Sequence, residues 1–135
     1  MYDLIIKGGT VVDPSQNIHG LNDVAVEDGK IARIAPDIPS AEAKRTVEVK
    51  GKVVIPGLID LHTHVYAGVN ASGVDPDIGG VRSGVTTMVD AGSAGCDTFG
   101  GFPKHIIPNT ATEIICFLHI CRTGLATTPD IFSPD

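Results

Sequence analysis

Pro56-Gly57-Leu58-Ile59-Asp60-Leu61-His62-Thr63-His64-Val65 is the stretch on which the reading of this chain turns. Side chains alternate faces along a strand. Ile59, Leu61, Thr63 and Val65 therefore fall on one face, and Leu58, Asp60, His62 and His64 on the other. With helices packed over the first face, the polar face points inward. Two imidazoles two residues apart lie roughly 6–7 Å apart at Cα. Their rings can lean together and offer nitrogens to one divalent metal at about 2.0–2.1 Å. Asp60 sits one step deeper, where it can orient a ligand from behind. The H-x-H spacing alone recurs by chance in many chains. The competing reading is the wet face of a half-exposed antiparallel strand, so the surroundings have to decide.

Upstream, residues 1 to about 52 read as all-β. Tyr2 to Lys7 alternates around Leu4 and Ile6, Gly8-Gly9 suggests a turn, and Thr10-Val11-Val12 a second short strand ended by Asp13-Pro14. Asp23 to Glu27 and Lys30 to Ile34 flank Asp28-Gly29, a strong hairpin signal, because a type I′ turn needs positive φ at both central residues. Thr46 to Lys50 alternates again, and Gly51-Lys52 leads into Val53-Val54-Ile55. No helix is expected here.

Downstream the grammar becomes strand, loop, helix, strand. Leu58 to Val65 is a strand. Asp75-Pro76 is a helix start, with Asp as cap and Pro in the first turn, and Gly84 ends that segment. Val85 to Asp90 reads as a strand, and Thr98 to Ile107 as a weak helix interrupted by Gly100, Gly101 and Pro103. Ile114-Ile115-Cys116-Phe117-Leu118 has the continuous apolar character of a parallel strand buried on both faces. Strands alternating with helices predict a parallel sheet. From Thr127 to Asp135 the pattern dissolves.

Composition narrows the function classes. The 135 residues carry a net charge of −6, which lacks the basic field of a nucleic-acid binder. No stretch approaches the roughly 18 apolar residues of a membrane span. The N-terminus, Met1 to Lys7, has neither a basic leader nor a long apolar run. Cys96, Cys116 and Cys121 are odd in number and form no CxxC. They read as reduced, inert, buried thiols of a cytoplasmic protein.

The run Val54-Ile55-Pro56-Gly57-Leu58-Ile59-Asp60-Leu61-His62-Thr63-His64 resembles the signature of the amidohydrolase superfamily of metal-dependent hydrolases. Asp3 to Gly9 and Val24 to Ile31 are similar to that family's small β domain. Val74 to Asp77 and Ser83 to Gly95 resemble its dihydroorotase-like amidohydrolase/deacetylase branch. The resemblance implies an α/β fold: the first three or so strands of an incomplete (β/α)₈ TIM-type barrel over residues 56–135. Part of a β-sandwich, residues 1–55, precedes it. It also implies that His62 and His64 ligate a divalent metal, zinc for preference, with one or two ions in a complete enzyme. Such a metal lowers the pKa of a bound water and polarises the carbonyl of an amide, cyclic amide or ester substrate. The family's further ligands (a lysine, two more histidines and an aspartate) come from later strands, and a whole barrel takes about 250 residues. The chain is therefore expected to be the N-terminal part of such an enzyme, inactive alone, with a small molecule as the complete enzyme's partner and a homo-oligomer open.

Weaker candidates complete the reading. Asp90 ends the second barrel-like strand and either points into the site or opens the Asp90-Ala91-Gly92-Ser93 turn. His119 ends the third strand, where a substrate contact would sit. His119 and Cys121 have a spacing that, joined to His62 and His64, would suit a small zinc domain. His19 and His105 stand alone. The rival from another class is a non-catalytic truncated paralogue serving as an interaction or assembly module.

Overall fold

The structure, a computed structural model, describes residues 1–126. The unpatterned stretch read at 127–135 lies outside the described residues. The chain divides into two compact units, Met1–Pro56 and a second beginning at Gly57.

The first unit is a sheet built from β1 (Leu4–Asp13), β2 (Ile18–Glu27), β3 (Lys30–Ala35), β4 (Thr46–Glu48) and β5 (Val53–Val54). Its order is β3-β2-β1-β4, with β5 also on β1. β1, β2 and β3 pair antiparallel, while β4 and β5 run parallel to β1. Asp28 (φ 50°) and Gly29 (φ 71°) make the predicted tight turn between β2 and β3. Gly8-Gly9 does not turn the chain. β1 continues through it, and the pairing register shifts between Ile6 and Gly9. A bulge of this kind bends a strand without ending it. Two short 3₁₀ turns, Pro14–Gln16 and Ser40–Glu42, also interrupt a region expected to be purely β. Asp13 caps the first by accepting from the Ser15 amide at 3.0 Å.

Ile5, Ala25 and Ile38 form the buried centre of this unit, with Tyr2, Ala35 and Ala43 packed on it. Beside them lies Asp23, almost fully buried. Its carboxylate accepts from Lys7 Nζ, the Gly8 amide and the Ile38 amide, each at 2.8 Å. Burial pushes its pKa up, but the Lys7 bond and the two amides outweigh that and hold it below the usual carboxylate value.

The second unit holds three parallel strands in the order β6 (Leu58–Thr63), β7 (Val85–Asp90) and β8 (Glu113–Cys116). The strand predicted to reach Val65 stops at Thr63, where backbone bonding passes to the next loop: Thr63 O accepts from the Ala91 amide at 2.8 Å. The helix start at Asp75 is as expected. Its carboxylate accepts from the Asp77 and Ile78 amides over α1 (Pro76–Gly79). A 3₁₀ turn then ends on Gly84 at φ 86°. The weak helix predicted over Thr98 to Ile107 is instead a π turn, Phe102–Ile106, followed by a 3₁₀ turn, Ile107–Asn109. Pro103 and Pro108 remove amide donors that a regular helix would need.

The core of this unit is Val65, Tyr66, Met88, Ala94 and Phe102. Tyr66 and Phe102 stack with centroids 4.3 Å apart. Two expectations fail. The apolar run is not buried on both faces: Ile115 on β8 is exposed, as are Phe117 and Leu118 just after it, and Ile120 fully so. Nor do helices cover the apolar face of β6, where Ile59 and Leu61 are 60% and 72% exposed. Both strands are at sheet edges, and the crossovers among the described residues contain only short helical turns. A run of apolar residues records what a strand could bury; burial itself needs a covering layer. No helix among the described residues is long and apolar enough to cross a membrane.

Candidate metal centre

The histidine pair stands at the C-terminal end of β6. His62 lies on the strand and His64 directly after it. Their ring centroids are 5.7 Å apart and the planes meet at 79°. His62 is exposed and His64 half-buried. Asp60 turns to the backbone: its Oδ1 accepts from the His62 amide at 3.1 Å.

His64 is held from several sides. Its carbonyl accepts from the Val74 amide at 2.9 Å, which closes the loop after β6. Its Nδ1 lies 3.0 Å from Ser93 Oγ. Ser93 is fully buried, as is Asp90 at the end of β7. The Asp90 carboxylate accepts from the Gly92 amide at 3.1 Å and the Ser93 amide at 2.6 Å. It also accepts from the Val65 amide at 2.8 Å. Of the two readings open for Asp90, the turn-opening one is what its bonds describe, with one addition. The same carboxylate clamps the backbone next to His64. Sequence reasoning missed Ser93, because a serine in a Gly-containing turn reads as turn chemistry. The signal for its second role is a contact between segments far apart in the chain.

His119 lies beyond the end of β8 and packs against Gly92, in the loop that carries Ser93. Its amide donates to Ala94 O at 2.9 Å. Its Nδ1 accepts from the Cys121 amide at 2.9 Å. His19 lies within β2 in the first unit, and His105 within the π turn. The cysteines differ from the expectation of three buried thiols. Cys96 is exposed, while Cys116 and Cys121 are half-buried. Burial, with the nearby Asp90 charge, pushes the Cys116 thiol up to about 11. It stays protonated at neutral pH and is a poor metal ligand there. The Thr123 hydroxyl beside Cys121 holds that thiol below its usual value.

Among the described residues no three His, Cys, Asp or Glu side chains converge on one point. The set joining His62, His64, His119 and Cys121 is thus not assembled as a four-ligand zinc site. The histidine pair fits a divalent metal as two ligands. With Nδ1 of His64 engaged by Ser93, its Nε2 is the nitrogen left for an ion.

No protein-family model matches the chain. A deacetylase of Agrobacterium fabrum is 38% identical over 98 residues, which is 73% of this chain and 24% of that protein. A dihydroorotase of Aquifex aeolicus is 41% identical over 116 residues, 84% of this chain and 24% of that one. A crystal structure of a dihydroorotase superposes with a TM-score of 0.81 at 28% identity, covering 94% of this chain and 33% of that one. The chain belongs to the dihydroorotase-like amidohydrolases. It spans about a quarter of the length of these two relatives. As a dihydroorotase-like chain it brings to the family's fold two units, one histidine pair and the Asp90–Ser93 support beneath it.

Proposed function

We propose that this chain supplies the first metal-ligand pair of a metal-dependent amidohydrolase or deacetylase. The whole enzyme hydrolyses a C–N bond, in an amide or cyclic amide, or an ester bond of a small molecule in the cytoplasm. His62 and His64 hold the ion, zinc for preference. When bound, the ion supplies Lewis acidity, which acidifies water and polarises a carbonyl. This chain's own residues position it: Ser93 and Asp90 restrain His64, and Asp60 restrains the backbone of His62. His119, beyond the end of β8, is proposed as a substrate contact. The three parallel strands are proposed as the opening of a (β/α)₈ barrel and the N-terminal sheet as part of a β-sandwich. The strand order β6-β7-β8 and the position of the histidines at the C-terminal end of β6 support that reading, since barrel enzymes build their sites at strand C-termini.

The observation that carries the proposal is the perpendicular His62–His64 pair at a parallel-strand end. Two nitrogens fall short of the three protein ligands of a catalytic zinc site. The 135-residue chain is therefore expected to bind zinc weakly and to turn nothing over. Zinc titration with amide, cyclic-imide and acetyl-ester substrates present tests both parts. Turnover by the purified chain, abolished in His62→Ala, would overturn the inactivity. Unchanged zinc uptake in the His62→Ala, His64→Ala double variant would overturn the ligand assignment.

A further inference from the structure

Ser93 offers its hydroxyl to the His64 ring from a fully buried position, and its side-chain partner among the described residues is His64 Nδ1. Ser93 is itself immobilised. Its amide donates to the buried Asp90 carboxylate, and its carbonyl accepts from the Leu125 amide at 3.0 Å. Asp90 binds the Val65 amide as well, so one carboxylate locks both the serine and the backbone that carries the histidine. The Asp90 bonds to Val65 and Ser93 are buried, and a hydrogen bond shielded from water is not exchanged for one to solvent.

We propose that Ser93 is a positioning residue for His64, and that Asp90 acts through it. The hydroxyl engages Nδ1, leaves Nε2 as the nitrogen presented to a divalent ion, and fixes the ring plane across from His62. This rests on the reading of His62 and His64 as ligands. An imidazole bound to metal through Nε2 must carry its proton on Nδ1. In the loaded state Nδ1–H therefore donates to Ser93 Oγ. Ordering the ring in advance lowers the cost of binding, and outer partners of this kind are worth roughly 10–100-fold in metal affinity.

The experiment is long-range ¹H–¹⁵N NMR of the ¹⁵N-histidine-labelled full chain during zinc titration, on wild type, Ser93→Ala and Ser93→Thr. In wild type, His62 and His64 are expected to shift on zinc addition, with His64 coordinated through Nε2 and protonated at Nδ1. Ser93→Ala is expected to weaken zinc binding by about tenfold or more, with unchanged thermal unfolding, and Ser93→Thr to restore it. Failure of both histidines to respond to zinc in wild type would sink the ligand reading and this inference with it. A response of both, with His64 bound through Nδ1, would overturn the inference alone. So would equal affinity in Ser93→Ala. The wild-type spectrum decides the matter even where the variants fail to fold.

Discussion

The two units solve the same problem of burying a sheet in different ways. The first builds an antiparallel β1-β2-β3 body, with a two-residue turn between β2 and β3, adds only the short β4 and β5 in parallel, and pins its interior with an ionic post, Asp23 against Lys7. The second pairs strands in parallel across long crossovers and leaves apolar residues bare on β6 and after β8. Antiparallel pairing is satisfied locally, by residues close in sequence. Parallel pairing makes a strand depend on layers supplied from elsewhere in the fold. The residues with chemistry lie in the second unit, at the strand ends, and the loops after β6 and β7 are tied together by a buried carboxylate, Asp90.

Removing the ionic post gives the largest expected effect. Asp23→Ala orphans the Gly8 and Ile38 amides and leaves Lys7 to Asp37 and the Ile38 carbonyl, and about 3–5 kcal/mol should be lost from the first unit, read by urea unfolding. The pH dependence has a definite sign. Asp23 has a lowered folded pKa, so its stabilisation is full above the ordinary carboxyl value of about 4. It is lost as pH falls through the lower folded value. Amide protection of Ile38 in wild type should therefore collapse on acidification. An equally steep acid transition in Asp23→Asn would show that the post is not what holds this unit.

Next comes Asp90→Ala, which orphans the amides of Val65, Gly92 and Ser93. About 3 kcal/mol is expected from lost bonds to a charged acceptor. Hydrogen exchange should quicken at those three amides while Ile5 and Ala25 keep their protection. Simultaneous loss in both units would break the comparison by showing that they unfold as one. The smallest effect is expected from Leu61→Lys on the uncovered face of β6. Its stability change should stay within about 0.5 kcal/mol, while solubility, read by light scattering, should rise. A loss of several kcal/mol would mean that Leu61 is covered in solution.

Much of this was legible in the residues. Asp28-Gly29 specified its turn because few dipeptides accept two positive φ values in succession. Asp75-Pro76 specified a helix start through cap and ring geometry. Alternation placed His62 and His64 on one face of a strand, although that strand ends at Thr63, one residue before His64. Where the reading failed, the deciding partner lay far along the chain. Gly8-Gly9 bulges rather than turns because β2 runs alongside the whole of β1. The apolar run after Glu113 stays exposed because no neighbour among the described residues covers it.

The sequence by itself determined the local elements, the family likeness and the presence of two imidazoles at metal-ligand spacing. Those follow from backbone preference and side-chain period, which act over a few residues. Only the tertiary structure decided which nitrogen of His64 is free and which carboxylate is structural. It also decided which apolar faces stay open. These depend on Ser93 and Asp90 meeting His64 and Val65 across two strands, and no spacing along a chain encodes a hydrogen bond between segments that only folding brings together.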